Sequence, residues 1–79
     1  MKLTDAQKRV MKWLGNGWPS EPGPGASIHV NGSRICNVDT LNALERLGLV
    51  EQRAVDGKKL LGEWQATQAG KNLTEDQQL

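Results

Sequence analysis

The chain has 79 residues, a length that fits one small domain and excludes large folds such as a TIM barrel or a full dinucleotide-binding fold. Ten Lys and Arg against nine Asp and Glu give a net charge of +1, which excludes a strongly basic nucleic-acid protein. No apolar run approaches the ~20 residues that span a bilayer. The N-terminal residues lack the apolar stretch of a signal peptide, and a single cysteine excludes an internal disulfide. We therefore expect a cytoplasmic protein without membrane contact.

A first helix is predicted over residues 4–14. Thr4 followed three residues later by Gln7 is a capping box, in which each side chain bonds the other residue's backbone N–H. The apolar residues that follow recur at helical spacing and are Ala6, Val10, Trp13 and Leu14, with Met11 beside them. Gly15 and Gly17 are expected to end the helix.

A hairpin is predicted after the Gly- and Pro-rich loop 15–25, from which Trp18 is expected to fold back onto the core. The dipeptide Asn31-Gly32 is a strong signal for a two-residue turn. It predicts the cross-strand pairs Val30–Ser33, His29–Arg34, Ile28–Ile35 and Ser27–Cys36. Alternation then predicts an inner face of Ile28, Val30 and Ile35 and an outer face of His29, Arg34 and Cys36.

A second helix is predicted over residues 37–47, with Asn37 as its N-cap and Gly48 ending it. At 100° per residue, its inner side consists of Leu41, Leu44 and Leu47. The opposite side brings together Asp39, Asn42 and Arg46.

A second hairpin is predicted from Leu49 to Thr67, with Asp56-Gly57 at its tip. Its alternation is interrupted at residues 60–62, so its register is left unassigned. Thr67 is expected to cap a short turn through Ala69. Residues 74–79 are expected to form a flexible polar tail outside a domain of residues 1–73.

Two segments carry a resemblance to a known family. The run TLNALERLGLVE (residues 40–51) resembles the recognition-helix-to-wing junction of winged helix-turn-helix domains, and WQATQAG (residues 64–70) is similar to their closing segment. The resemblance implies a small α+β, winged-helix-like domain in the order helix, hairpin, helix, wing hairpin. In its small size, the chain resembles phage or prophage members of this family. The family's second helix is replaced here by a loop and a hairpin.

The resemblance implies double-stranded DNA binding by a transcriptional regulator or an accessory factor. In the second helix, Asn42 suits adenine, Arg46 suits guanine, and Asn37 or Thr40 suits phosphate. Backbone contacts are expected from the wing and from the first helix, through Arg53, Lys58, Lys59, Lys8, Arg9 and Lys12. The alternative is a solvated or protein-facing surface, because Asp39 and Glu45 flank this face and repel phosphates.

A protein–protein interaction module without nucleic-acid binding is the alternative function. Its surface would be the Trp18 loop with the hairpin 28–35, or the helix face around Asn42. The oligomeric state stays open between monomer and homodimer, since no heptad repeat is present.

Catalysis and metal binding are not expected. The predicted hairpin places Cys36 and His29 on one face, but a nucleophilic site also needs an orienting group and an oxyanion pocket. A zinc site takes about four ligands, and one Cys with one His does not supply that number. We therefore expect no enzyme, no metal and no cofactor, and we interpret Cys36 as a small, half-buried spacer.

Overall fold

The structure, a computed structural model, describes residues 2–79 and contains three helices and two antiparallel sheets in that range. The helices are α1 (Asp5–Leu14), α2 (Val38–Arg46) and α3 (Gln68–Asp76). The strands are β1 (Glu21–Pro22), β2 (Ser27–Val30), β3 (Ser33–Asn37), β4 (Val50–Val55) and β5 (Lys58–Ala66). One sheet has the order β1-β2-β3 and the other pairs β4 with β5. The domain is therefore α+β.

The core lies where α1 and α2 pack against the strands. Its largest fully buried side chains are Trp64, Met11, Leu14, Leu41 and Leu44. Within residues 2–79, the indole Nε1 of Trp64 is the buried side-chain polar atom without a hydrogen-bond partner. No helix in the same range is long and apolar enough to cross a membrane.

The N-terminal helix begins with the predicted capping box. Thr4 Oγ1 accepts from the Gln7 N–H at 3.1 Å, and Gln7 Oε1 accepts from the Thr4 N–H at 2.9 Å. The buried face differs from the predicted one, because Met11 is buried and Ala6 is exposed. The reason is α3, which packs against α1 on the side of Met11 and had not been predicted as a helix.

The end of α1 determines where Trp18 lies. Gly17 adopts φ +100°, its N–H bonds the Leu14 carbonyl, and the Trp18 N–H bonds the Trp13 carbonyl at 3.2 Å, as in a Schellman motif. The Trp13 and Trp18 rings meet edge to face with 5.5 Å between centroids. Trp18 thus folds back onto Trp13 but stays 44% exposed.

The first hairpin (β2–β3) has the predicted turn and a partly different register. Asn31 and Gly32 both have positive φ, and the pairs Val30–Ser33 and His29–Arg34 are confirmed. A bulge then shifts the pairing to Ile28–Cys36 and Ser27–Asn37, so the predicted pairs Ile28–Ile35 and Ser27–Cys36 were wrong. Because the bulge adds a residue to β3, consecutive side chains Ile35 and Cys36 are both buried. Cys36 is thus a core residue and not an outer-face one.

Helix α2 buries Leu41 and Leu44 as predicted, but Leu47 is 44% exposed, so its inward placement was wrong. Leu47 is the C-cap, where the chain leaves the helix at Gly48 with φ +76°. The Gly48 and Leu49 N–H groups bond the carbonyls of Glu45 and Leu44, and Leu49 is buried.

The second hairpin (β4–β5) turns at Asp56-Gly57 as predicted, with both residues at positive φ. Gln52 pairs with Trp64, and Ala54 pairs with Lys59. The two positions are two residues apart in β4 but five residues apart in β5, so β5 contains three extra residues here. This irregularity falls at the interrupted segment 60–62. Ser20 Oγ holds it by accepting from the Trp64 N–H at 2.7 Å and donating to the Gly62 carbonyl at 3.0 Å.

The C-terminal segment forms α3, where the sequence predicts only a short turn and a polar tail. Thr67 is the N-cap and accepts from the Gly70 N–H at 3.1 Å, but the helix then continues to Asp76. Thr74 is buried and donates to the Gly70 carbonyl at 2.9 Å. The helix buries small residues, and so it lacks the apolar periodicity from which helices are predicted.

The two segments that carry the family resemblance contact each other. Thr67 Oγ1 donates to the Gly48 carbonyl at 2.6 Å, and the Thr67 N–H bonds the Leu49 carbonyl at 3.0 Å. Gly70 lies so close to the Leu49 carbonyl that a Cβ atom there would be 2.0 Å from its oxygen. The end of α2 and the start of α3 are therefore fixed to one another.

Candidate nucleic-acid interface

The exposed face of α2 presents the predicted polar side chains. Asp39 and Arg46 lie opposite the buried Leu41 and Leu44, with Asn42 half-buried beside them. Within residues 2–79, the side chains of Asn42 and Arg46 make no hydrogen bond or ion pair. Because Leu41 and Leu44 hold the opposite face in the core, the helix backbone that carries these two side chains is anchored.

The start of α2 is organised by a residue that the sequence interpretation missed. Arg34 Nη2 donates to Asn37 Oδ1 at 2.7 Å, and the Asn37 side chain makes no capping bond to α2. Asn37 is therefore the N-cap by position only. Thr40, half-buried in the first turn, has no side-chain partner in the described range. The position of Arg34 close after the Asn-Gly turn, on the predicted outer face, was the signal that could have identified it.

The cations of the second hairpin differ in availability. Arg53 Nη1 lies 3.4 Å from Glu63 Oε1, and both side chains are partly exposed. Arg53 is therefore an ion-pair partner of Glu63. Lys58 and Lys59 are exposed at the tip without a partner in residues 2–79. Leu61 follows them and is 81% exposed.

The three cations of α1, Lys8, Arg9 and Lys12, are exposed and without ion-pair partners in the described residues. Arg9 lies on the side of α1 that packs against β3. Burial raises the pKa of the Cys36 thiol to about 11, while the charges of Arg34 and Arg9 act in the opposite direction. Two guanidinium groups from different elements thus lie near the β3–α2 junction.

Carboxylates lie among these cations. Glu51 accepts from Gln65 Nε2 at 3.0 Å, and Glu21 accepts from the Gly32 N–H at 3.0 Å. Asp39 and Glu45 are exposed on α2 and have no side-chain partner in residues 2–79. The α2 face therefore carries both signs of charge.

A groove of about 470 Å³ lies between the Trp18 loop, the second hairpin and the start of α3. Its apolar lining includes Leu14, Trp18, Pro19 and Ala66, and its polar lining carries both signs of charge, from Glu51, Arg53 and Lys71. It lies apart from the exposed face of α2, none of whose residues line it.

The side chains suited to chemistry are separated by the fold. Cys36 is in the core, whereas His29 Nε2 lies 3.3 Å from Ser27 Oγ in a partly exposed setting. No group of three His, Cys, Asp or Glu side chains in the described range is placed to hold a metal ion.

Comparison with protein-family models, with curated proteins and with solved structures gives no match to this chain. The resemblance to winged helix-turn-helix domains therefore rests on the two sequence segments alone.

Proposed function

We propose that this chain is a cytoplasmic double-stranded DNA-binding domain, acting as a transcriptional regulator or accessory factor. In this proposal the fold is winged-helix-like, with α2 as the recognition helix and β4–β5 as the wing. The observation that carries it is the pair Asn42 and Arg46, which have no side-chain partner among residues 2–79 and lie on a helix whose opposite face is anchored in the core.

The chemistry of this face suits a duplex. A major groove about 12 Å wide admits a helix, where Arg46 has the two-pronged donor geometry for guanine and Asn42 has the donor and acceptor for adenine. The exposed Lys58 and Lys59 suit phosphate oxygens, which fix the register of a protein on DNA without reading sequence. Few cations are available, so few phosphates are neutralised. We therefore expect weak binding with a shallow salt slope, because the slope is proportional to the number of phosphates contacted.

The test is fluorescence anisotropy of labelled duplexes of varied sequence, titrated across a salt series. Arg46→Ala is expected to cost about 1–3 kcal/mol and to reduce sequence preference, because it removes a base contact. Lys58→Ala is expected to weaken all sequences alike and to lower the salt slope by about 1. Both residues are exposed, so circular dichroism should show an unchanged fold.

Absence of salt-dependent duplex binding at low ionic strength would remove this function. Equal loss of binding in both variants, with sequence preference intact in Arg46→Ala, would show that α2 does not read bases.

A protein-interaction module is the second candidate, favoured by the groove beside Trp18. The apolar lining suits an apolar side chain of an extended peptide, and Lys71, which has no ion-pair partner within residues 2–79, suits a carboxylate placed away from Glu51. Peptides selected for binding should then lose affinity with Trp18→Ser and with Lys71→Gln, and keep it with Arg46→Ala. Selection of no such peptide, or equal binding to Trp18→Ser, would dismiss this candidate.

A further inference from the structure

The first hairpin places an arginine at the N-terminus of α2. Arg34 lies one residue after the pair Val30–Ser33 that closes the Asn-Gly turn, and it is exposed. One of its terminal nitrogens donates to Asn37 Oδ1 at 2.7 Å. A guanidinium has five N–H donors, so most of them remain for a second acceptor.

The Asn37 amide is oriented by this bond. Because Arg34 occupies its carbonyl oxygen, the amide nitrogen of Asn37 is the free end of the side chain, and no residue in the described range accepts from it. Arg34 and Asn37 therefore present donors of the kind that bind phosphate oxygens.

A second arginine reaches the same region from another element. Arg9 on α1 is exposed and unpaired in residues 2–79, and α1 packs against β3. The charges of Arg9 and Arg34 both act on Cys36, one residue before Asn37. The opposing charges nearby are Asp39, in the first turn of α2, and Glu21, whose carboxylate is bonded to the Gly32 N–H.

We propose that the first hairpin contacts the sugar-phosphate backbone of the bound duplex through Arg34, with Asn37 as a second donor and Arg9 beside it. This inference rests on the proposed function and adds a contact surface that it lacks. Arg34 was not among the DNA-contacting residues inferred from the sequence.

The connection between β3 and α2 gives this contact a mechanical effect. Asn37 is both the last residue of β3 and the N-cap of α2, so no linker separates the hairpin from the helix. At about 1.5 Å per residue, α2 places Arg46 roughly 13 Å from this junction along the helix axis. A phosphate held at Arg34 and a base held at Arg46 then fix both ends of α2.

The experiment compares Arg34→Gln, Arg34→Lys and Lys71→Gln in duplex titrations over a salt series. Arg34→Gln is expected to weaken binding about tenfold at low salt and to reduce the salt slope by about 0.9, as for one lost phosphate contact. Arg34→Lys should keep most of the slope. Lys71→Gln removes the same charge from α3, outside the proposed surface, and should leave the slope unchanged.

The outcomes separate the two proposals. If the unaltered chain fails to bind duplex at any salt concentration, the proposed function falls. If it binds and Arg34→Gln binds with the same affinity and slope, the hairpin contact is overturned and the function stands. Arg9→Gln, at an exposed and unpaired position, is the second variant and should also lower the slope; an unchanged slope there removes Arg9 from the surface.

Discussion

The buried Cys36 shows how one residue's environment sets its chemistry. Burial raises the pKa of its thiol to about 11, although Arg34 and Arg9 lower it in part. A thiol of this pKa is almost entirely protonated at neutral pH, and the thiolate is the nucleophilic form. Cys36 is therefore a small core residue without reactivity in the folded chain.

We expect the stability of the fold to decline as pH rises between about 9 and 11. The unfolded chain loses the thiol proton near 9.0, whereas the folded chain keeps it until about 11. In this window the unfolded state binds fewer protons, so the free energy of unfolding decreases with pH. Urea unfolding of the unaltered chain and of Cys36→Ala over this range measures the effect, and the difference between them should shrink as pH rises. A difference independent of pH would contradict the prediction.

Within the regular turns of α2, residue positions that follow from helical geometry were predictable. The exposure of Leu47 at the C-cap and the positions that depend on strand register were not. The exposure of Asp39 and Arg46 follows from 100° per residue on a helix with two buried leucines. The pairing of Arg53 with Glu63 and the bond from Arg34 to Asn37 depend on a register irregularity and on a turn between elements. No local sequence pattern specifies either of them.

At the scale of elements, α3 is held by close approach of its small residues and by Leu73, which packs against the core. Gly70 abuts the Leu49 carbonyl, and Thr74 lies against α1 where a Cβ at Gly15 would be 1.9 Å from its Oγ1. These contacts place α3 against both α1 and the turn that follows α2. Helix α3 thus holds α1 and the turn that follows α2 in a fixed relation to one another.

Gly70→Ala is expected to destabilise the fold by about 1–3 kcal/mol, because the new methyl group overlaps the Leu49 carbonyl. Helix propensity alone predicts the opposite sign, since Ala is better than Gly by about 1 kcal/mol inside a helix. The sign of the change in urea unfolding therefore decides between the two effects.

The matched control is Ala69→Gly, at the exposed neighbouring position, where only propensity acts. It is expected to lower stability by about 1 kcal/mol at most. A Gly70→Ala variant more stable than the unaltered chain would show that the contact with Leu49 relaxes.

Elements with strong local signals were predicted and those made by packing were not. The capping box at Thr4 and both two-residue turns are confirmed, because each is specified by residues within four positions of one another. The bulges in β3 and β5 and the helix α3 arise from contacts distant in sequence, such as Ser20 with Trp64. The interrupted alternation in the sequence correctly predicts where the register of β5 becomes irregular. It does not predict that Ser20 bonds to β5 there.

For the whole molecule, the distribution of charge matters more than its sum. A net charge of +1 gives little long-range attraction to a polyanion, so binding depends on which groups face it. The two unpaired carboxylates of α2, Asp39 and Glu45, lie on or beside the proposed reading face. They are the main electrostatic opposition to the proposed function.

We therefore expect Asp39→Asn and Glu45→Gln to strengthen duplex binding several-fold at low salt, with the gain fading above about 0.1–0.2 M salt because of screening. Glu75→Gln, which makes the same charge change on α3, is the control and should have little effect. The measurement is the anisotropy titration at two salt concentrations. Equal gains from all three variants would show a general charge effect and no specific face.

The small α+β class and the order of helix, hairpin, helix and hairpin were predictable from the sequence at this scale, but the strand β1 within the predicted loop and the final helix α3 were not. The contact between the Gly48-Leu49 turn and Thr67 was not predictable either, because it joins residues 19 positions apart. This contact fixes the end of α2 relative to the start of α3.

The three tryptophans differ in burial, so their fluorescence reports on different parts of this domain. With no Phe or Tyr in the chain, near-ultraviolet absorption and emission come from Trp13, Trp18 and Trp64. The enclosed Trp64 reports on loss of the core, while Trp18, standing at the mouth of the groove, reports on whatever enters there. A quencher dissolved in the buffer should reach Trp18 first. Intrinsic emission can thus distinguish a ligand that covers the groove from a duplex on α2 without any added dye.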